Sequence, residues 1–478
     1  MTRDPEILIL GAGPAGVGAA LALATCGVKA LIVDAGSAAG GQVYRPLPGN
    51  FEPGDAIDLG PDYLEGERQR RLLADSGVDT AFGRLVWSIG TDLRVDALGP
   101  DGPESWQPKG IVSATGATER VVPFPGWTLP GVMGLAAATI LLKSQCVLPG
   151  KRVLVAGCGP LLFAVANAVM KGGGQVVALA DLAGPGTWLR ALPALLGRPR
   201  DLLRGAYWMA RLGAKGVPML FRHAVSEARA SNSGLEVSLG AVDAAGRPIQ
   251  SASERTLVAD SLVIGHGLIP ATEAVRLLGA EMYFDAEAGG WVPRLDDDQR
   301  ASRAGLYAAG DGTGVRGAAA AFLAGQIAGM TAALDLGRID AGHHARATGP
   351  LRRRLARAQR FGRAMARLMA PRSGQVDAIA YDTVVCRCED VTRAEVEEAL
   401  ERGAADLNQL KSWTRCGMGP CQGRMCGDTV AQIVAARTGS RAAAGAWTAR
   451  VPLRPLNVDA MAGEFDYDDI PIPTAAPL

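Results

Sequence analysis

The segment from Glu6 to Gly36, EILILGAGPAGVGAALALATCGVKALIVDAG, constrains this chain more than any other. A short apolar run, a glycine turn, an apolar stretch of helical length and a second apolar run make one strand–helix–strand unit. Gly11, Gly13 and Gly16 sit in the turn with Pro14 and Ala15 between them. Gly11 permits the tight turn, Gly13 lets a phosphate approach the backbone, and Gly16 lets helix and strand pack closely. Asp34 ends the second run, 18 positions after Gly16, where a carboxylate can accept hydrogen bonds from an adenosine ribose. Strand, glycines, helix and acid in this order predict a dinucleotide site.

A second such unit runs from Lys151 to Asp181, KRVLVAGCGPLLFAVANAVMKGGGQVVALAD. Here Gly157 and Gly159 are followed by Leu162, so the third glycine is missing and Asp181 is the only candidate ribose ligand. Against NAD(P) binding there stand two other readings, a retained scaffold and a site for a different adenine nucleotide. The chain has 478 residues, more than one core usually supports. The expected fold is α/β, with a Rossmann-like first domain at 1–125 and 286–340 and a second dinucleotide-type domain inserted at 126–285. A basic linker helix at 346–378, a small, mainly helical cysteine-bearing domain at 379–440 and an irregular tail at 441–478 complete it. Nine arginines and no acid lie between Arg346 and Arg372. This stretch reads either as a solvated helix packed on its own domain or as a docking surface for a partner or anionic lipid.

Two further segments argue that the first site takes FAD. SATGA places Thr115 and Gly116 at a strand end, and GLYAAGDG places Gly310 and Asp311 before the start of a long apolar helix. An aspartate there can bind a ribityl chain while the helix dipole faces the flavin and its phosphates. The three segments together resemble the flavoproteins with two dinucleotide-binding domains, which include ferredoxin and thioredoxin reductases and nitrite reductase flavin subunits. In such proteins a loop passes beside the isoalloxazine where GGQVYR supplies Gly41, Gln42 and Arg45; an ordinary polar loop is the alternative. The second domain contains nothing like the Cys-x-x-Cys of thioredoxin reductases, so disulfide reduction is not expected.

Five of the eight cysteines fall in one short region: Cys386 and Cys388 in VVCRCEDVT, and Cys416, Cys421 and Cys426 in TRCGMGPCQGRMC. Clustering of this kind favours metal over disulfides. Four thiolates can surround a [2Fe-2S] core, and zinc is the rival occupant. The stretch resembles the [2Fe-2S] domain of bacterioferritin-associated ferredoxin, whose second cysteine pair follows the first by a little over thirty residues. Cys421 lies 33 positions after Cys388 and Cys416 only 28, so the resemblance favours Cys386, Cys388, Cys421 and Cys426 and sets Cys416 aside.

These motifs, with PFPGWTLPGVMG between the two dinucleotide domains, resemble in order and content the A or α subunits of bacterial heteromeric amino-acid and opine dehydrogenases. That group includes octopine and nopaline oxidases, D-hydroxyproline dehydrogenase and the hydrogen cyanide synthase B subunit. The resemblance implies a β subunit that oxidises the CH–NH bond of an amine on its own flavin. It implies an α chain that accepts the electrons, in some members through an FMN at the interface, and passes them toward a respiratory acceptor such as quinone. A small third subunit is left open. The other readings are a self-contained NAD(P)H-dependent reductase, a subunit of a glycine-oxidising hydrogen cyanide synthase, and a non-catalytic assembly protein in which the cluster or a zinc is structural.

The net charge of +1 gives no reason to invoke nucleic acid. The four histidines form no recognisable catalytic set, which leaves the catalytic residues unknown. The first strand starts too soon after Met1 for a signal peptide, and no uninterrupted apolar run is long enough for a membrane span. The expected place is therefore the cytoplasm, with peripheral attachment to the inner membrane left open.

Overall fold

The computed structural model describes residues 4–49, 60–249, 251 and 253–460. Five parallel strands form the first sheet, in the order Leu306–Ala308, Gly110–Ser113, Ile7–Leu10, Ala30–Asp34 and Asp79–Phe82. Ile7 to Leu10 are buried on both faces, as an all-apolar central strand requires. One face carries the helices Pro14–Thr25 and Ala318–Asp335, which touch backbone to backbone. A Cβ on Gly325 would lie 1.9 Å from the Ala15 carbonyl oxygen, and one on Gly329 would lie 2.5 Å from that of Ala19. The helix Ala318–Asp335 is long and apolar enough to cross a membrane by length and composition, but 61% of it is buried inside the protein. Its alanines and glycines are apolar because they must fit this close contact. The other face of the sheet is covered by the antiparallel strands Leu85–Ile89, Val95–Gly99 and Gly102–Trp106.

The second sheet is again parallel, ordered Met219–Phe221, Gln175–Asp181, Arg152–Gly157, Ser261–Gly265 and Val132–Gly134. The helices Leu135–Ser144 and Leu161–Lys171 pack on one face, and the antiparallel strands His223–Ser231, Gly234–Ala241 and Arg255–Ala259 on the other. Between the two units the strands Ala117–Glu119 and Leu268–Pro270 pair antiparallel. Ala274, Val275 and Leu278 then join the core formed by Leu8, Leu10 and Ile111. The chain therefore re-enters the first unit ahead of residue 286, at which the sequence reading resumed it.

The basic stretch lies in the helix Ala341–Leu368, capped by the Asp340 carboxylate, which accepts from the His343 N–H at 2.7 Å. The cysteine-bearing unit has its own core, built from Val385, Val396, Leu407, Leu410, Val430 and Val434 among others. It is tied to both dinucleotide units. Trp127 Nε1 donates to the Val384 carbonyl at 2.7 Å and Thr429 Oγ1 to that of Val121 at 2.6 Å. The Arg120 and Asp428 side chains, 2% and 5% exposed, form an ion pair at 2.7 Å. The expected tail at 441–478 begins with a short helix and returns to the first unit, where the Leu453 N–H donates to Trp87 at 2.7 Å. Its part at 461–478 lies outside the described residues.

Candidate functional site

The first glycine motif forms a cradle at the N-terminus of the helix Pro14–Thr25. Gly11 adopts φ +101°, and a Cβ on Gly16 would lie 1.8 Å from the Gly11 oxygen, so both must be glycine for the fold alone. Gly13 differs. A Cβ there would meet only the Gly41 Cα, at 3.8 Å, so its side is open. The Asp34 carboxylate accepts from the N–H groups of Ala12 and Gly36, both at 2.6 Å, which fixes it at the rim of this opening. Gly41, at φ +57°, folds the following loop onto Gly13, and Arg45 in that loop donates to Gln42 Oε1 at 2.7 Å. Arg45 Nε is buried without a partner among the described residues, as expected of a group meant for a ligand.

Across the cradle, the Asp311 carboxylate accepts from the N–H groups of Arg316 and Gly317 at 2.9 and 3.0 Å. Burial raises its pKa, and those two N–H groups oppose the shift. Thr115 Oγ1 donates to the Ala271 carbonyl at 2.7 Å, so the strand end at Thr115–Gly116 is held against the returning chain. A Cβ on Gly310 would lie 2.8 Å from that of Ala15, which brings the two motifs together. A preformed anion cradle, an orphaned guanidinium nitrogen and two placed carboxylates fit FAD.

The second glycine motif is closed by the chain itself. A Cβ on Gly159 would fall 2.4 Å from Met369 Cγ, at the C-terminal end of the long basic helix. Met369 clusters there with Cys158, Leu182 and Val242. Asp181 accepts from Trp188 Nε1 and the Ala183 N–H, both at 2.9 Å, and burial pushes its pKa up to about 6. Leu162, in place of the third glycine, is fully buried.

The five clustered cysteines lie close together in space. The sulfurs of Cys386, Cys416 and Cys426 are all within 4.8 Å of one another, and the Cys388 sulfur accepts from the backbone N–H of Cys421 and lies against the Cys421 side chain. The structure thus brings Cys416, which the spacing argument set aside, into a buried triad with two of the four expected ligands. Hydrogen bonds from the thiols of Cys416 and Cys426 pull the Cys386 pKa down to about 2, whereas those of Cys416 and Cys426 are raised, most by their bonds to Cys386. A cation at their centre would favour ionisation of all three. A single indole supports this region. A Cβ on Gly417, Gly423 or Gly427 would lie 3.1, 2.5 or 2.6 Å from the Trp447 ring, and Trp447 Nε1 is itself buried without a partner among the described residues. The donor set fits a thiolate-bound cluster.

A cavity of about 300 Å³ lies between the second domain and the cysteine unit, lined by Glu119, Trp127, Met133, His266, Arg387 and Arg424 among others. Glu119 accepts from the Ala136 N–H at 3.1 Å, and burial pushes its pKa up to about 7. His266 is pushed down to about 4 by burial and by nearby Arg120. Glu119, Arg120, Asp428, Met369 and Trp447 belong to no sequence motif and became visible only in three dimensions.

Two linked dinucleotide-type domains, one open cradle and a thiol cluster define a flavin-dependent oxidoreductase. The pyridine nucleotide-disulphide oxidoreductase model matches residues 5–349, and the sarcosine oxidase A3 domain matches residues 382–464. The chain is 34% identical over 471 residues to the A subunit of opine oxidase from Rhizobium meliloti, covering 96% of this chain and 87% of that one. It is 33% identical to hydrogen cyanide synthase subunit HcnB of Pseudomonas protegens, covering 95% and 97%. The alpha subunit of sarcosine oxidase from Corynebacterium is 25% identical, and there the match covers 96% of this chain but 45% of the relative. Among solved structures, L-proline dehydrogenase from P. horikoshii superposes with a TM-score of 0.66 at 21% identity, over 96% of this chain and 79% of that one, which shows the shared fold. The chain belongs to the pyridine nucleotide-disulphide oxidoreductase family and, within it, to the A subunits of heteromeric opine oxidases and their HcnB relatives. It is an oxidoreductase subunit of a flavin-dependent enzyme, and its relatives' names imply a partner subunit.

Proposed function

We propose that this chain is the electron-transfer subunit of a heteromeric dehydrogenase, whose partner β subunit oxidises the CH–NH bond of an opine, a D-amino acid or hydroxyproline. FAD and a [2Fe-2S] cluster would supply two-electron and one-electron acceptance on the way to a quinone-type acceptor. Gly11, Gly13, Pro14, Ala15, Gly16 and Asp34 would hold the adenine half of FAD. Gly41, Gln42, Arg45, Thr115, Gly116, Gly310 and Asp311 would hold the flavin half. Cys386, Cys388, Cys421 and Cys426 would hold the cluster. An FMN at the partner interface belongs to the same reading.

One observation carries it. Arg120 lies four residues after Gly116, and its guanidinium pairs with Asp428, two residues after Cys426. One buried ion pair therefore links the flavin-side chain segment to a cysteine-bearing segment and holds their spacing. Met369 over Gly159 and Trp188 on Asp181 speak against hydride supply from NAD(P)H. To test this, the chain would be purified alone and with the product of its neighbouring gene, and dye reduction by opines, proline, hydroxyproline and glycine assayed beside NADH oxidation. Turnover of an amine only with the partner, and no NADH oxidation by either preparation, is expected. Amine turnover by the chain alone, or rapid NADH oxidation, would overturn the reading.

A further inference from the structure

The helices Pro185–Leu195 and Pro199–Ala214 form a hairpin on the outer face of the second domain. Its inward side is accounted for: Leu212 is buried, and Trp188 and Trp208 pack against the domain core. Its outward side is apolar as well. Leu189, Leu196, Leu203 and Tyr207 are 69, 62, 69 and 58% exposed. On the second helix Leu203, Ala206, Tyr207, Ala210 and Ala214 recur at i, i+3, i+4, i+7 and i+11, and all five are exposed. That spacing is one continuous stripe along a helix, turned away from the core that should have buried it.

Charge frames the stripe. At 100° per residue, Arg200, Arg204, Arg211 and Lys215 fall roughly 60 to 120° round the helix from it, all on one flank. Residues 182–226 contain seven basic side chains and a single acid, Asp201, which is already paired with Arg198 and Arg204. The positive surface continues into the neighbouring helix Ala341–Leu368. The Arg198 guanidinium lies 5.2 Å from the Phe361 ring of that helix, and Arg353, Arg354, Arg357 and Arg360 are exposed on its adjacent turns.

We propose that this hairpin is a docking surface for an anionic lipid bilayer, with Leu189, Leu196, Leu203 and Tyr207 entering the interface and the arginines meeting lipid phosphates. An aliphatic stripe beside a basic flank is the arrangement that lies in a headgroup layer, where burial of apolar area and attraction to anionic lipid act together. Basic side chains also reach outward while their stems lie along apolar surface. The inference uses none of the cofactor residues, so it stands or falls apart from the electron-transfer reading.

The test is cosedimentation of the complex of this chain and its partner subunit with vesicles of phosphatidylcholine alone or mixed with phosphatidylglycerol. Binding to the anionic vesicles only, reversed by high salt, is expected. Leu203→Asp with Tyr207→Asp, and separately Arg200→Glu with Arg211→Glu, should each weaken partition by at least about tenfold and leave dye reduction unchanged. Two independent pairs guard against misfolding of either, and unaltered melting and far-ultraviolet circular dichroism confirm the fold. Equal binding to both vesicle types, no binding to either, or loss of the partner subunit with vesicle binding retained would overturn the proposal. The last result would make the hairpin a protein interface.

Discussion

Asp428→Asn should loosen the cysteine unit from the rest of the molecule. In the native chain the Asp428 carboxylate accepts from Arg120 Nε and from Arg441, both at 2.7 Å, and from Gln432 at 3.2 Å. Both guanidinium charges hold its pKa down against the opposing effect of burial. Neutralising it leaves Arg120, only 2% exposed, with carbonyl oxygens of His266, Met369 and Gly289 but no counter-charge. Removing one partner of a buried pair costs about 3–5 kcal/mol, and the three carbonyls place this case near the lower end, about 3 kcal/mol. At about 1.4 kcal/mol per factor of ten, the detached state becomes roughly a hundredfold more populated. Limited proteolysis of the segment between Met369 and Thr383 under native conditions reports that population directly when opening is fast. Cleavage should accelerate by about that factor while the dinucleotide domains stay resistant. The double variant Arg120→Met with Asp428→Leu should restore much of the protection, because apolar residues of similar volume replace a buried pair at little cost. Unchanged proteolysis in Asp428→Asn, or a double variant as labile as the single one, would refute the claim that this pair is the latch.

Gly13→Val should give folded, flavin-free protein, since a Cβ at Gly13 meets nothing closer than 3.8 Å yet would stand in the pyrophosphate position; full flavin content by absorption would remove the assignment. Serine at Cys386, Cys388, Cys421 or Cys426 should bleach the iron–sulfur absorption and the paramagnetic resonance of the reduced protein, whereas Cys416→Ser should keep both. Retention in Cys421→Ser with loss in Cys416→Ser would instead assign Cys416 as the ligand, and zinc without iron in protein purified free of air would remove the cluster. Stability should fall as pH rises from about 4.5 to about 7, because Glu119 stays protonated in the fold after it ionises in the unfolded chain. The loss attributable to this group is about 3 kcal/mol, and denaturation across that range should show a shallower slope in Glu119→Gln.

What could be read from the chain was what the chain encodes locally. The first cradle was legible because Gly11, Gly13, Gly16 and Asp34 report on one turn and its adjoining strand, all within a single strand–helix–strand unit. Leu162 likewise flagged the second motif as altered. That Met369 fills it was not legible, since an apolar residue at the end of a helix carries no mark of the glycine 210 positions earlier that it covers. Arg120 and Asp428 are 308 positions apart, and an arginine and an aspartate taken singly read as surface residues. The run from Ala318 to Asp335 shows the opposite difficulty: Gln326, Thr331 and Asp335 interrupt it in sequence, yet it forms one helix packed on Pro14–Thr25 and largely buried. The cysteine spacing grouped the five thiols, but a linear count gave no sign that Cys416 would stand within 4.8 Å of Cys386 and Cys426.

Met369 over Gly159 gives a criterion for sorting other chains of this architecture. Size at these two positions is coupled: a long unbranched side chain at the end of the connecting helix is tolerable only where the facing residue is glycine. A chain with a small residue in the first position would leave the second cradle open to an adenine nucleotide. Substitutions at the two sites should therefore be accepted in pairs, and a homologue that departs from the pairing would be the place to look for a subunit that has kept, or regained, a second nucleotide.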